Sequence, residues 1–167
     1  MSVFFLSDPH FGHQLATEHR GFTSAGEHDE AVLESINGAV RKRDKLFLLG
    51  DVVFNKPLGE SILPRINCST IELIIGNHDK FSTGWYARYF HKVHGFRKYE
   101  NFWISHCPIH PQEMYRCDGN IHGHIHKGGK SPHLKYPYFN VGWDFHRGPC
   151  SFDLIRDWFA EHEKPAG

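Results

Sequence analysis

The chain has no CxxC pair. Its four cysteines, Cys68, Cys107, Cys117 and Cys150, are scattered through 167 residues, which rules against a Cys₄ structural zinc and offers no disulfide framework. It has no net charge, with 19 Lys and Arg against 19 Asp and Glu, so nothing draws the molecule as a whole to a polyanion or a membrane surface. No apolar stretch nears the roughly 20 residues of a spanning helix. Met1-Ser2-Val3 leads straight into a strand-like segment without a basic leader or cleavage site. These absences predict a soluble, cytoplasmic chain with reduced thiols and no membrane partner, in which any nucleic-acid contact is local. No internal repeat, linker or low-complexity tract interrupts it, and residues 1–167 suit one domain able to bury its own core.

What the chain has in abundance is histidine, 15 residues, several of them beside Asp, Gly or Asn in turn-like settings. That placement points to metal or proton chemistry. The elements around them follow a repeated pattern. Val3 to Leu6, Leu46 to Leu49 and Ile71 to Ile75 are short apolar runs, each breaking into a polar loop. Between them Ser24 with Glu27 reads as a capping box, and Val32, Leu33, Ile36 and Val40 recur at helical spacing; a shorter helix is expected around Leu58 to Ile66. Strand, loop, helix in alternation predicts an α/β sheet with its site at the carboxyl ends of the strands. Further, partly antiparallel strands are expected over Val93 to Tyr99, Asn101 to Ser105, Gly119 to His122 and Tyr138 to Val141. Ser151 then caps a last helix with Leu154, Ile155, Trp158 and Phe159 in one stripe.

The loops carry the chemistry. Asp8-Pro9-His10 sets two ligands at i and i+2, which in extended backbone project to one face. Gly50-Asp51 puts an acid where glycine permits close backbone approach. In Gly76-Asn77-His78-Asp79, Asn77 can offer its carbonyl oxygen to a hard metal, His78 is free to act on substrate, and Asp79 can fix its tautomer. His106 closes an apolar strand, and Gly123-His124-Ile125-His126 repeats the i, i+2 spacing with two imidazoles. A lone Asp-x-His or Gly-Asp is more often an ordinary turn. The whole series is more specific: a mixed N/O set suited to Mn²⁺, Fe²⁺, Co²⁺ or Zn²⁺ rather than Ca²⁺.

In this order the motifs Asp8-x-His10, Gly50-Asp51, Gly76-Asn77-His78-Asp79, His106 and Gly123-His124-x-His126 resemble the calcineurin-like metallophosphoesterase superfamily, over residues 8 to 126. Ser7 to His13 is similar to the first motif of its compact bacterial and phage members. The resemblance implies an α/β (α+β) fold, a four-layer αββα sandwich of two mixed β-sheets flanked by helices. It implies two divalent ions, with Mn²⁺ favoured and Fe²⁺, Ni²⁺, Co²⁺, Zn²⁺ or Mg²⁺ as alternatives. Asp8, His10, Asp51 and His126 would hold one ion and Asp51, Asn77, His106 and His124 the other, with Asp51 as the bridge. The activity implied is hydrolysis of phosphodiesters or phosphomonoesters by metal-activated hydroxide. Here His78 assists the phosphoryl oxygens or the leaving group, and Asp79 orients it.

The expected partner is a small phosphate ester, including nucleotides. A nuclease acting on nucleic-acid ends and a non-catalytic binding module are the competing readings, and long nucleic acid is disfavoured by the balanced charge. Lys127, Lys130 and Lys135 with Tyr136 and Tyr138 could hold a single-stranded or nucleotide substrate but read first as a solvated loop. Arg20 and Arg147 could clamp a phosphate but read first as surface arginines, His13 as either lining the site or supporting it, and His91, His94, His110 and His133 as surface or satisfied histidines. Cys107 and Cys117 are too far apart in sequence to read as a ligand pair.

Overall fold

The computed structural model describes residues 1–127, 134–135 and 137–162; Lys130, His133 and Tyr136 lie outside the described residues. Its first sheet joins β1 (Val3–Leu6), β2 (Lys45–Leu48), β3 (Thr70–Ile74), β4 (Lys92–His94) and β10 (Cys150–Ser151) in the order β10-β1-β2-β3-β4. β1 to β4 run parallel, and β10 lies antiparallel on β1. The second sheet has the order β5-β6-β7-β9-β8, from β5 (Phe96–Tyr99), β6 (Phe102–Ser105), β7 (Gly119–His122), β8 (Leu134–Lys135) and β9 (Tyr138–Asn140). Here β6, β7 and β9 are parallel while the two edge strands are antiparallel. Both sheets are therefore mixed, and with their helices they form the α/β sandwich expected.

The early strands are apolar on both faces because both faces are covered. Leu6, Leu46, Leu48, Ile71 and Leu73 pack on one side against Val32, Leu33 and Ile36 of α2 (Ala25–Ala39) and Ile62 of α3 (Lys56–Ile62). Phe5, Phe47, Leu49 and Ile74 turn the other way and meet Phe102, Ile104, Ile121 and Phe139 of the second sheet. Each such fully buried Leu or Phe contributes roughly 1.5–3 kcal/mol. Helix α6 (Phe152–Glu161) adds Ile155 and Phe159 to this second layer, whereas Leu154, expected in the same stripe, is 50% exposed. Three short helices, α1 (Gln14–His19), α4 (Thr83–Tyr86) and α5 (Trp143–His146), are too short for a periodic signal.

Two local readings change. Ser24 caps α2 by accepting from the Glu27 amide at 3.1 Å, but the Glu27 carboxylate bonds the amide of Thr23, one residue earlier than a capping box requires. The run Val93 to Tyr99 is not one strand: it breaks at Gly95, leaving β4 in the first sheet and β5 in the second. All four cysteines are free thiols. Among the described residues no helix is long and apolar enough to cross a membrane.

Candidate metal centre

Every segment singled out for its chemistry leaves the carboxyl end of a parallel strand. Asp8 and His10 follow β1, Asp51 follows β2, and Asn77 and His78 follow β3; His106 follows β6, and His124 and His126 follow β7. The two sheets are stitched together at this end. The Ser7 amide donates to Val141 O at 3.0 Å and Trp143 N to Ser7 O at 3.0 Å, while on the first sheet's own side, between the loops after β1 and β2, Asp8 N donates to Gly50 O at 3.1 Å. The backbone is also strained there. Asp8, His10, Asp51 and His124 have φ of 58°, 55°, 53° and 68°, in a left-handed region that costs a non-glycine residue about 1–3 kcal/mol. Asp8 and His10 thus meet through loop conformation, not through the strand-like alternation that their spacing suggested. Glycine permits the tight approach: a Cβ on Gly76 would overlap Asp51 Oδ1, and one on Gly123 would overlap Ser7 Oγ.

The side chains converge. His10 Nε2 lies 3.5 Å from Asp8 Oδ1 and 3.8 Å from Asp51 Oδ2; His106 Nε2 lies 3.4 Å from Asp51 Oδ2, and His126 Nε2 3.9 Å from Asp8 Oδ1. His106 Nε2 is also 2.9 Å from Asn77 Oδ1 and 3.2 Å from His124 Nδ1. Asp8, His10 and His126 form one group with ligand atoms within 4.8 Å of one another, and Asp8, Asp51 and His106 form another. Asp8, His10, Asp51 and His106 are buried, while Asn77, His124 and His126 are exposed and stand at the rim.

These separations fit a cation. Two ligands each about 2.1 Å from one ion, at angles of about 90–130°, sit roughly 3.0–3.8 Å apart. That is longer than a good hydrogen bond, and it is what most of these pairs show. Among the described residues Asp8 Oδ1 and both ring nitrogens of His10 are buried with no hydrogen-bond partner, an arrangement that costs stability unless something polar bridges them. Asp51 Oδ2 faces both His10 and His106, the position a bridging carboxylate needs.

Protonation follows the same logic. Burial alone would push the Asp8 carboxyl up, but the imidazoles of His10, His106 and His126 hold it well below the usual carboxylate range. Burial keeps the His10 ring neutral, as a metal ligand must be. His106 goes the other way: despite burial, Asp51 and Asp8 and the Leu49 carbonyl raise it to about 9. Its Nδ1–H donates to Leu49 O at 2.6 Å, which directs Nε2 into the site. A cation must displace the Nε2 proton, so metal affinity should rise by up to about tenfold per pH unit as pH climbs toward 9 and level off above it. Metal titrations monitored from pH 6 to 9.5 check this; a flat profile would contradict it. Because this pKa is raised above 6.5, the contribution of His106 to the metal-free fold is present below about 6.5 and lost as pH rises through about 9.

Asp79 has a different task from the one its position beside His78 implied. It is buried, and its carboxylate accepts from the amides of Asp51 at 2.9 Å, Val52 at 3.0 Å and Gly76 at 2.8 Å, and from Tyr86 Oη at 3.4 Å. It braces the loop of Asp51 against the loop of Asn77 and does not orient the His78 ring. His78 is exposed, its ring 5.2 Å from that of Phe54, and it lines a cavity with His10, His13 and His126. His13 lines that cavity, the first of the two readings, and its Nδ1 also caps α1 by accepting from Ala16 N at 3.0 Å. Cys107 stands nearer than its spacing suggested, grouped with His106 and His124. Burial, with the charges of Asp51 and Asp8, raises its thiol pKa.

Two supporting residues were not legible. Asp144 accepts from His126 Nδ1 at 2.6 Å and from Arg20 Nε at 2.6 Å; Arg20 in turn donates to Asp8 O at 2.7 Å and Pro9 O at 3.1 Å. Arg20 is therefore a buried brace rather than a surface arginine, its side chain 4% exposed. The only sequence hint for Asp144 is that it stands two residues after Gly142, beyond the Tyr138 to Val141 strand, where no Gly-Asp step like Gly50-Asp51 marks it. Asp144→Asn should weaken binding of the ion that His126 faces by about 10- to 100-fold without unfolding the chain. A metal titration showing unchanged affinity would contradict this role.

No family model matches the chain. It is similar to an uncharacterized protein of Methanocaldococcus jannaschii, 28% identical over 144 residues, which is 83% of this chain and 75% of that protein. The crystal structure of a protein of unknown function from Aquifex aeolicus shares the fold, with a TM-score of 0.75 and 22% identity over 93% of this chain and 98% of that one.

Proposed function

We propose that this chain is a metal-dependent phosphoesterase that hydrolyses small phosphate esters at a pair of divalent cations. The observation that carries the reading is the buried set of Asp8 Oδ1 and the His10 ring nitrogens, without a hydrogen-bond partner among the described residues, with Asp51 shared between His10 and His106 at distances a cation would close. The motif order resembling the calcineurin-like metallophosphoesterases supports the same chemistry. Asp8, His10, Asp51 and His126 would hold one ion and Asp51, Asn77, His106 and His124 the other, with Mn²⁺ the first choice for this N/O set. Such ions supply Lewis acidity to a water and to the phosphoryl oxygens.

The chain's own residues do the rest. Asp8 and Asp51 return less negative charge than two divalent ions bring, so the site keeps a positive surplus for an anionic ester. His78, at the rim and free of ligand duty, is placed to donate to a phosphoryl oxygen or to the departing oxygen. Arg20 and Asp144 fix the loops of Asp8 and His126. The test is hydrolysis of p-nitrophenyl phosphate and bis-p-nitrophenyl phosphate by the full chain with Mn²⁺, Ni²⁺, Mg²⁺ or Zn²⁺. Turnover that depends on one of these ions supports the reading. Metal uptake with no hydrolysis of either ester would leave a binding module instead.

A further inference from the structure

The cavity beside the metal-ligand cluster, about 620 Å³, is far larger than one phosphoryl group needs and falls within the usual range for small organic ligands. Its wall is basic. Among the described residues Asp144 is the one acid on it, and both of its oxygens are already engaged, by Arg20 and by His126. That pairing cancels the charge of Arg20. Lys127 and Arg147, on the same wall, are exposed, and among the described residues no carboxylate lies within 4.0 Å of either. Elsewhere Arg65, Arg88 and Arg97 pair with Glu30, Glu60 and Glu72.

Arg147 is also held in place with, among the described residues, no hydrogen bond from its guanidinium donors. It takes a left-handed backbone, φ 55°, at the end of α5, and its guanidinium stacks over the Trp143 ring at 4.5 Å. That ring is itself fixed, buried and donating through Nε1 to Ser35 Oγ at 3.2 Å. A stacked guanidinium keeps its in-plane N–H groups free, the geometry that suits a phosphate. Lys127 follows His126 directly, so the second positive charge begins one residue from the ligand cluster.

We infer that the substrate is an organic phosphate ester bearing a second phosphate group, which Lys127 and Arg147 hold while the first lies at the cations. This rests on the phosphoesterase reading and narrows its substrate class. The second phosphate comes either from a diphosphate or from a separate phosphate on the same molecule, and the two are distinguishable. The test is calorimetric binding to the Mn²⁺-loaded full chain of inorganic phosphate, methylenediphosphonate and adenosine 3′,5′-bisphosphate, repeated with Arg147→Gln and Lys127→Gln.

The expected result is that one of the two probes with two phosphoryl groups binds more tightly than phosphate, and that each variant reduces that preference by roughly tenfold or more. Which probe it is identifies the source of the second group. Equal affinity for all three probes, or a preference that both variants leave intact, would overturn the inference. If such equality accompanied metal-dependent ester hydrolysis, the substrate class would fall and the phosphoesterase reading would stand. Selective binding without any hydrolysis would support the anion subsite and remove the hydrolase.

Discussion

Asp51→Asn is expected to strip the chain of one or both cations and to lower turnover by roughly 10³-fold or more, since Lewis acidity from bound ions is worth several kcal/mol and each 1.36 kcal/mol is about tenfold. The choice of Asn matters. Asp51 sits at φ 53°, where Asn is tolerated better than other side chains, and its Oδ1 accepts from His78 N at 2.8 Å, a bond that an amide oxygen can retain. The substitution therefore removes the charge facing His10 and His106 while sparing the loop. Metal analysis together with a thermal melt separates the outcomes: lost metal with a folded chain is the expected result. Full occupancy of both ions in the variant would refute the bridging role.

His78→Ala should do the reverse, keeping the metal and slowing turnover by about 10²- to 10⁴-fold, the usual range for a general acid or a comparable proton donor. The link of His78 to the centre is its backbone amide on Asp51 Oδ1, which truncation leaves untouched. Its ring meets Phe54 and the cavity rather than a buried ligand, so little packing is lost. Metal content measured beside kcat and KM decides the matter. A variant that lost its metal would place His78 among the ligands instead, and one with unchanged kcat would leave it no part in the reaction.

The strands were legible in the sequence for a physical reason. Leu46, Phe47, Leu48 and Leu49 face two apolar layers alternately, so the run shows no polar break until Gly50. The ligand loops were legible because a glycine-acid, glycine-amide or glycine-histidine step ends several strands at the same edge. What escaped depends on the third dimension. Arg20 and Asp144 are 124 residues apart and meet only because Ser7 bridges Gly142, joining the two sheets. The brace formed by Asp79 depends on its loop folding back under Asp51, and from sequence its neighbour His78 was the nearer partner. The break at Gly95 is set by which sheet each half joins, while the alternation of residues across it reads as continuous. The positive φ of Asp8 and His10 lay outside any argument built on extended spacing.

The central claim is that side chains from several separated loops hold a pair of cations. Anomalous X-ray diffraction from crystals grown with Mn²⁺, recorded at the manganese edge, tests it most directly. Two peaks are expected, one bounded by Asp8, His10 and His126 and the other by His106, Asn77 and His124, with Asp51 between them. A map with no peak among these residues, or with manganese bound elsewhere on the chain, would contradict it.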